Sequence, residues 1–569
     1  MAITYEIGGI KMLAIKDGVL YAQTKTLSAV IRDGAILSLK SIKTGTEFIR
    51  NTDTVAMELV YALDRSVPVE IGHGGSVEWA QVNEHTVEMR LLGWMANALV
   101  IISEDPDNGD LLIAPSAYTA MRGVRSLRWS VMGIDPALDA VAPLFQGVKL
   151  RLDDPILWHT RSPWPREWEA GFNIFQGNHE GFWVWTQDTQ YRYKSIKFGS
   201  EADPYRVGFE AETYGPLHEN ISAGGLTWRI GVFEGDWHVP AQAYKTWMEQ
   251  AWQLDKRHPF KPDWVDDLTF CVCWAPLDED WLDNLAKYVD PKKTLLHIPR
   301  WRSFGYDQNY PTYEASPEAA CYFAKAQKMG FHVAPHTNIF ETDPSNPAYE
   351  LVGQFEYRDI DTDQRFGWSY TGKEFLPVPM SNRKLLHARD TNTMTKIHPG
   401  QPMWASILRE QLQKLKREHH LDAVFTDVSH NTFNLANCLV NNTTSTEGAK
   451  LLQDYLNSID GGLALGGEGL NEITMQSQAF SQVHLYKNPS PPHPQLERCG
   501  KIDLGHFLWG DRCRMIGYSR LEEDNEWTLH RMMNHIEHGC IPTISGSHPE
   551  YMKNPNKNMR AMFDLARQL

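Results

Sequence analysis

An alternation of apolar runs and amphipathic segments, which begins near residue 263, constrains the fold of this 569-residue chain more than any other feature. Short runs rich in β-branched and aromatic residues predict buried strands, and the segments between them carry apolar residues at three- and four-residue spacing, as helices do. Eight strand–helix units follow one another in about 300 residues, which is the size of a (β/α)8 TIM barrel. The predicted strands are TFCVCW (269–274), TLLHIPRW (294–301), HVAPHTN (332–338), AVFTDVS (423–429), LALGGEG (463–469), QVHLY (482–486), RMIGYS (514–519) and CIPTIS (540–545).

A doubly wound open sheet is the structural alternative to the barrel. The nucleotide-binding versions of that fold carry a G-x-G-x-x-G or P-loop motif directly after a strand. Neither motif follows any of the predicted strands. The barrel is therefore the preferred interpretation.

The first part of the chain has a different period. Residues 1–238 alternate polar and apolar positions in short runs that are separated by Gly, Asp and Asn, which predicts antiparallel strands. Roughly fifteen or more such runs favour a large β-supersandwich over a small sandwich. Residues 239–262 then read as a helix followed by a Pro-marked linker. We predict a β-sandwich domain over 1–238, a helical linker over 239–262 and a (β/α)8 catalytic barrel over 263–569.

The amino-acid composition indicates which kinds of binding partner this protein is expected to have. A net charge of −16 repels nucleic acid and anionic membranes, so we expect neither as a partner. The 20 Trp are compatible with a sugar ligand, because indole rings stack on the C–H faces of sugars. The seven Cys form no disulfide pattern and the N-terminus lacks the features of a signal peptide, which predicts a cytoplasmic protein. A signal peptide that has been removed would leave the same sequence.

Two carboxylates follow neighbouring predicted strands. Asp427 ends the fourth strand and Glu468 ends the fifth, 41 residues later. The carboxyl ends of barrel strands meet at the active face, so these side chains are expected to converge. Glycosidic cleavage uses two carboxyl groups, which lie ~5–5.5 Å apart in retaining enzymes. A helix-capping role for Asp427, a solvated loop position for Glu468 and Glu472 as a rival acid remain open.

Aromatic and hydrogen-bonding residues lie near the other strand ends. Trp274 and Trp301 are expected to stack on sugar rings, as is Trp164 in the sandwich. Four further residues are expected to hydrogen-bond to hydroxyl groups, and these are Arg300, His336, Asn338 and His430.

No metal or cofactor is predicted. His332 and His336 face the same side of a strand, but four residues of strand separate them by about 13 Å, which is too far for one ion. No Ser, Cys or Lys nucleophile motif stands out in the sequence.

The two carboxylate segments resemble those of retaining α-glycosidases that join an N-terminal β-supersandwich to a (β/α)8 barrel. Residues 423–429 are similar to their strand-four nucleophile segment, and residues 463–469 to their strand-five acid/base segment. The pairing is similar to that of the endo-α-N-acetylgalactosaminidase family and, more distantly, of the α-amylase clan. This resemblance implies Asp427 as nucleophile and Glu468 as acid/base.

Three further stretches resemble an uncharacterised glycosidase-like family of bacterial polysaccharide-degradation clusters. They are GTEFIRN (45–51), EGFWVWTQDTQYRYKSIKF (180–198) and HFLWGDRCRMIGYS (506–519). The resemblance implies a carbohydrate-active enzyme with an oligosaccharide or glycoside substrate. Such enzymes usually carry a β-domain after the barrel, whereas this sequence stops soon after the eighth predicted helix. Several of them hold Ca²⁺, but no Asp-rich loop of suitable spacing stands out in this sequence.

The sequence therefore predicts a glycoside hydrolase that cleaves an α-linked glycoside by a retaining double displacement. A catalytically inactive carbohydrate-binding protein is the first alternative. A polysaccharide lyase or sugar epimerase is the second. A lyase acts on an acidic polysaccharide, which the net charge disfavours.

Overall fold

The computed structural model describes residues 13–72, 74–158, 161–254, 258–371, 374–379, 392–483, 500–518 and 523–569. The chain divides into two compact units. The first consists of Met1–Pro143, Val148–Trp164 and Gly171–Trp247, and the second of Leu144–Gly147, Pro165–Ala170 and Met248–Leu569.

The first unit is an antiparallel β-sandwich, as the sequence predicts. Its strands are β1 (Leu13–Lys16), β2 (Val19–Gln23), β3 (Leu27–Arg32), β4 (Ala35–Ser41), β5 (Glu47–Arg50), β6 (Met57–Val60), β7 (Ser66–Pro68), β8 (Ser76–Asn83), β9 (Thr86–Leu92), β10 (Asn97–Glu104), β11 (Leu111–Tyr118), β12 (Ser126–Val131), β13 (Asp139–Ala142), β14 (Val148–Arg151), β15 (Arg161–Pro163), β16 (Phe172–Gln176), β17 (Glu180–Trp185), β18 (Lys194–Ser200), β19 (Asp203–Glu212), β20 (Ser222–Gly224) and β21 (Trp228–Glu234).

These strands form three sheets. One has the order β1-β2-β3-β4-β5, and another has the order β15-β18-β19-β12-β6-β7. The largest runs β14-β13-β16-β17-β21-β11-β10-β9-β8, with β20 also paired to β11. In β10, Ala98, Val100 and Ile102 are buried, and the residues between them are half-buried or exposed. This is the period-two pattern of a sheet with one face on the core.

The second unit is a parallel barrel, which confirms the predicted TIM-like fold. Its eight parallel strands are β22 (Phe270–Cys273), β23 (Thr294–Ile298), β24 (His332–Asn338), β29 (Ala423–Asp427), β30 (Ala464–Glu468), β31 (Phe480–Gln482), β32 (Arg514–Ile516) and β33 (Thr543–Ser545). They follow the order β32-β31-β30-β29-β24-β23-β22-β33. A parallel bridge between Ile516 and Ile541 joins the two ends of this order, so the barrel is nearly closed.

The inside of the barrel is packed with side chains. Cys271, Leu295, Phe425 and Phe480 are among the buried residues there, and all four are at most 1% exposed. A second apolar cluster, to which strands and helices both contribute, includes Leu296, Trp301, Phe323, Trp404 and Leu412. Chemistry is therefore confined to the strand ends and the loops that follow them.

The helices are α1 (His238–Ala251), α2 (Asp263–Asp266), α3 (Glu279–Leu285), α4 (Pro317–Met329), α5 (Pro347–Val352), α6 (Pro402–His419), α7 (Ser445–Asn457), α8 (Leu504–Trp509), α9 (Glu526–Glu537) and α10 (Lys557–Gln568). Among the described residues, none of these helices has the length and apolar character that crossing a membrane requires.

Two parts of the barrel differ from the sequence prediction. The expected helix after β30 is only a 3-10 turn over Thr474–Gln476. The side-chain oxygen of Asn471 accepts the backbone N–H groups of Ile473 and Thr474, which holds a turn in place of a helix. The sixth strand is β31 rather than residues 482–486, and 484–486 lie outside the described residues.

The long connection after β24 carries a small antiparallel sheet. Its strands are β25 (Glu341–Thr342), β26 (Phe366–Thr371), β27 (Glu374–Pro379) and β28 (Asn392–Lys396), in the order β25-β28-β26-β27. The sheet starts three residues beyond the last residue of β24 and so begins beside the carboxyl end of the barrel.

Candidate active site

Two carboxyl groups meet at the carboxyl end of adjacent barrel strands. Asp427 is the last residue of β29, and Glu468 is the last residue of β30. Thr426 pairs with Gly467 in the parallel register, so the next residue of each strand is brought beside the other. The two carboxyl groups interact with one another, since Glu468 raises the pKa of Asp427. The Asp427 side chain keeps 22% of its surface exposed, so it is accessible from solvent.

The Glu468 carboxyl group is held by its surroundings. The backbone N–H of Val428 donates to Oε2 at 3.0 Å, and the Tyr518 hydroxyl group lies 3.5 Å from Oε1. The backbone of Glu468 is fixed as well, because its N–H donates to Ser429 Oγ at 3.0 Å and its carbonyl accepts from His430 Nδ1 at 2.6 Å. The loop after β29 therefore orients the carboxyl group at the end of β30.

Backbone conformations that are rare for most residues occur at both strand ends. Val428 has φ of 47°, which is unusual for a β-branched residue, and this conformation aims its N–H at Glu468. Gly469 has φ of 76°, and a Cβ there would lie 2.5 Å from the His430 ring. Glycine is therefore required directly after Glu468.

The Asp427 carboxyl group binds its proton more tightly than usual. Burial raises its pKa well above the ordinary value, and the charge of Glu468 and the hydrogen bond to it raise the pKa further. The more distant charges of Asp307 and Glu341 act in the same direction. The pair of carboxyl groups therefore retains a proton above the ordinary titration range of an aspartate.

Two buried histidines lie behind Asp427. His336 Nε2 is 3.6 Å from Asp427 Oδ2, and His336 Nδ1 is 3.1 Å from His297 Nε2. Burial and the neighbouring His297 hold the pKa of His336 well below its usual value, so the ring is neutral. One of the two rings must donate in the bond between them, so His297 decides which nitrogen of His336 carries the proton.

The loop after β23 contributes groups that the sequence analysis did not single out. The Tyr306 hydroxyl group is 3.5 Å from His336 Nε2, and burial and Asp427 raise the pKa of Tyr306. Burial and the charge of Glu341 raise the pKa of the adjacent Asp307 to about 7. The loop thus places a tyrosine beside His336 and an acid whose charge raises the pKa of Asp427.

The same loop is stiffened by Arg302. Its guanidinium donates to the backbone carbonyls of Gly305, Gln308 and Thr312, and it lies 4.1 Å from the ring centre of Tyr310. Arg300, which we expected to bind hydroxyl groups, is exposed two residues earlier.

Asn338 binds within the chain. Its Nδ2 donates to Glu341 Oε2 at 2.8 Å, and its Oδ1 accepts the backbone N–H groups of Phe340 and Glu341. Glu341 also forms a buried ion pair with Lys396. Asn338 is 1% exposed, so it orients Glu341 and is not placed to meet a sugar hydroxyl group.

The two predicted stacking residues of the barrel differ in position. Trp274 directly follows β22 and is half-buried, with its ring centre 5.4 Å from that of Tyr306. Trp301 does not fit the expectation, because it is 0% exposed and its Nε1 donates to the backbone oxygen of His336 at 2.8 Å. The chain turns inward one residue past the exposed Arg300 and places this indole in the core.

We expect Trp301→Phe to lower the free energy of unfolding by roughly 1–3 kcal/mol, since the buried hydrogen bond and part of the packing are lost. Trp274→Phe is the matched control, and its half-exposed site predicts a change below about 1 kcal/mol. Urea unfolding of both variants and the parent measures the difference. Equal stability of the two variants would show that Trp301 is not a core residue.

Three residues predicted from the sequence remain to be placed, and they are His430, Glu472 and Trp164. His430 is half-buried against Glu468. Glu472 is 2% exposed and precedes the 3-10 turn, and its backbone N–H donates to the backbone oxygen of Glu169. Trp164 is buried in the first unit with the Lys194 ammonium 3.5 Å from its ring centre, so it is not available for stacking. Over the described ranges, no cluster of His, Cys, Asp and Glu has metal-binding geometry.

Comparisons with known proteins agree with this architecture. A sequence profile for a domain of unknown function, DUF6259, matches residues 226–443. No match is found among curated proteins. Among solved structures, the α-N-acetylgalactosaminidase NagBb from Bifidobacterium bifidum in complex with GalNAc is similar, with a TM-score of 0.65 and 14% identity over 98% of this chain and 93% of that chain. Its ligand-free form gives a TM-score of 0.67 at 12% identity with the same coverage.

A GH31 family sulfoquinovosidase from E. rectale in complex with an aza-sugar inhibitor is also similar. The TM-score is 0.55 and the identity 10%, over 98% of this chain and 82% of that chain. At such identities the likeness concerns the fold. The chain thus has the sandwich-and-barrel fold of glycoside hydrolases.

Proposed function

We propose that the protein is a retaining glycoside hydrolase that cleaves an α-linked glycoside. The observation that carries the proposal is the position of Asp427 and Glu468 at the carboxyl ends of adjacent barrel strands, which the parallel register brings side by side. Two converging carboxyl groups are the machinery of glycosidic cleavage. The α-linkage is supported by the similar fold of an enzyme whose name is α-N-acetylgalactosaminidase.

In this proposal Asp427 attacks the anomeric carbon while Glu468 protonates the departing oxygen. Glu468 then takes a proton from water while the water oxygen attacks the anomeric carbon. This attack breaks the ester bond to Asp427 and releases the sugar with its original configuration. The pair needs one proton at the start, on Glu468. Asp427, whose pKa is raised, retains a proton in the free enzyme, and this proton has to pass to the neighbouring Glu468.

Substrate binding changes the surroundings of Asp427. In retaining enzymes the two carboxyl groups lie ~5–5.5 Å apart around a bound sugar. A sugar carbon between Asp427 and Glu468 weakens the interaction by which Glu468 raises the pKa of Asp427.

His336 and His297 favour the ionised form of Asp427 in this mechanism. When His297 donates to His336 Nδ1, the proton of the neutral His336 ring lies on Nε2, which faces Asp427 at 3.6 Å. A donor at this position stabilises a carboxylate over a carboxylic acid. Trp274 and Tyr306, whose rings lie side by side, offer a surface for the sugar.

The opposite assignment of roles is a second candidate. The Val428 N–H donates to Glu468, which favours a carboxylate at Glu468, and the pKa of Asp427 is raised, which favours an acid at Asp427. In that version Glu468 attacks the anomeric carbon and Asp427 protonates the leaving group. The reaction class is unchanged, and the stereochemistry of azide products separates the two.

The test is hydrolysis of a panel of α- and β-aryl glycosides, with the anomer of the first product followed by NMR. We expect turnover of an α-glycoside and release of the α-anomer. Release of the β-anomer would exclude retention. Tight sugar binding with no turnover favours the inactive binding protein, and an unsaturated product that absorbs in the ultraviolet favours a lyase.

A further inference from the structure

Two short segments from the first half of the sequence belong to the second compact unit. They are Leu144–Gly147 and Pro165–Ala170, which we call the clamp segments. Their flanking residues belong to the first unit. Each clamp segment contains a buried residue with a carboxyl or amide side chain, Gln146 in the first and Glu169 in the second, at 2% and 8% exposure.

Every polar atom of the Gln146 side chain is bound inside the barrel unit. Nε2 donates to Glu169 Oε1 at 2.9 Å and to the backbone oxygen of Leu470 at 2.7 Å. Oε1 accepts from Trp509 Nε1 at 3.0 Å. Gln146 has φ of 72°, which is rare for a residue with a side chain, so local backbone preference does not explain its conformation.

Glu169 joins the two clamp segments. Its Oε2 accepts the backbone N–H of Gln146 at 2.6 Å, and its backbone oxygen accepts the N–H of Glu472 at 3.0 Å. Burial raises the pKa of Glu169 well above its ordinary value, in keeping with a site far from solvent. The clamp segments thus grip Leu470 and Glu472 with one hydrogen bond each.

The gripped loop, residues 469–472, starts directly after Glu468. On its other side, His430 donates to the backbone oxygen of Glu468 and packs against Gly469. As far as residue 483, where the described part of this region ends, the loop is followed by the short turn over Thr474–Gln476 and not by an α-helix. Strand β31 holds Gly469, which donates to the backbone oxygen of Gln482 and accepts from Ser481 Oγ. The clamp segments hold Leu470 and Glu472, farther along the loop.

We infer that Gln146 is a positioning residue for Glu468: by binding Leu470 and Glu169 it fixes the loop that aims the Glu468 carboxyl group at the leaving oxygen. This inference rests on the proposed function. It assigns a role at the barrel site to a residue that lies more than 300 positions earlier in the chain.

The test compares two leaving groups in the full chain. Methyl and 2,4-dinitrophenyl glycosides of the sugar that the panel identifies differ in their need for a proton, because dinitrophenolate leaves without one. For Gln146→Met, which keeps the length and loses the hydrogen bonds, we expect kcat/KM on the methyl glycoside to fall by on the order of 10-fold or more. We expect the dinitrophenyl glycoside to change by less than about twofold, since nucleophilic attack is intact.

Gln176→Met is the matched control, since Gln176 is also buried but lies in strand β16 of the first unit. It should leave both rates unchanged. If Gln146→Met does not fold, Glu169→Gln replaces it, because an NH2 group then faces the donors of Gln146 with little change in shape. An equal loss on both glycosides, or no loss on either, overturns the inference.

Glu468→Gln in the same assay separates this inference from the proposed function. Glu468→Gln should lose much more activity on the methyl glycoside than on the dinitrophenyl glycoside, and we call this difference leaving-group selectivity. If Glu468→Gln shows this selectivity and Gln146→Met does not, the inference is wrong and the proposed function stands. An absence of selectivity in Glu468→Gln contradicts Glu468 as the acid, and the inference falls with it.

Discussion

Asp427→Asn is expected to reduce hydrolysis of every α-glycoside substrate by on the order of 10⁴-fold or more, because an amide cannot form the glycosyl-enzyme ester. The fold should remain intact, since Asn has the shape of the Asp side chain and the position is at the edge of the barrel interior. Steady-state rates on the best substrate of the panel give the measurement. Activity within tenfold of the parent would remove Asp427 from the mechanism.

Asp422→Asn is the matched control for this variant. Asp422 immediately precedes β29, at the opposite end of the strand that Asp427 terminates, and it is exposed. Both variants replace an Asp by Asn at an end of the same strand, so a difference between their activities is due to the position of the residue and not to the type of substitution. We expect Asp422→Asn to keep parental activity.

The Asp427→Asn variant has an expected effect on stability as well. The folded-state pKa of Asp427 is raised, so between the unfolded pKa and the folded pKa the folded state binds more protons than the unfolded state. The stability of the parent therefore falls as the pH rises through this window, and the loss persists above it. The amide side chain of the variant carries no charge, so Asp427→Asn should be at least as stable as the parent at pH 7 and lose the advantage near pH 4.

Unfolding by urea at pH 4 and pH 7 measures this difference. A substitution that abolishes activity and raises the free energy of unfolding identifies a residue that serves function at the expense of stability. A variant that is less stable than the parent at pH 7 would show that the Asp427 charge contributes to folding rather than opposing it.

The barrel and the carboxylate pair could be predicted from the sequence because both follow from local patterns. Apolar runs mark the strands, and parallel strands bring their carboxyl ends to one face. Once Asp427 and Glu468 stand at the ends of consecutive strands, the register alone brings them together. The raised pKa of Asp427 comes first from its burial, which a pattern of residue types does not report.

The other residues of the site could not be predicted in the same way. Tyr306 and Asp307 lie in an irregular loop where no period indicates which side chains face the barrel. Trp301 and Arg300 are neighbours in sequence, and only the path of the chain decides which of them is buried. Gln146 has no sequence signal at all, because its partner Leu470 contributes a backbone oxygen and lies in a distant part of the chain.

Glu468→Ala decides which carboxyl group attacks. With a methyl glycoside, the loss of the acid is expected to reduce kcat by about 10²–10⁴-fold. With a dinitrophenyl glycoside, the first step should remain fast and the glycosyl-enzyme should accumulate, since no base activates water. Azide needs no base, so we expect it to restore turnover and to form the α-glycosyl azide from an α-glycoside.

The anomer of the azide product identifies the nucleophile, because the two assignments of Asp427 and Glu468 predict different anomers. If Asp427 is the nucleophile, azide attacks the glycosyl-enzyme of Glu468→Ala and two inversions give the α-azide. If Glu468 is the nucleophile, azide takes the place of the missing carboxylate in that variant, and a single inversion gives the β-azide. Glu472→Ala serves as the control for the rival acid, because Glu472 is buried and its backbone N–H is bound to Glu169. Azide rescue of Glu472→Ala but not of Glu468→Ala would transfer the acid role to Glu472.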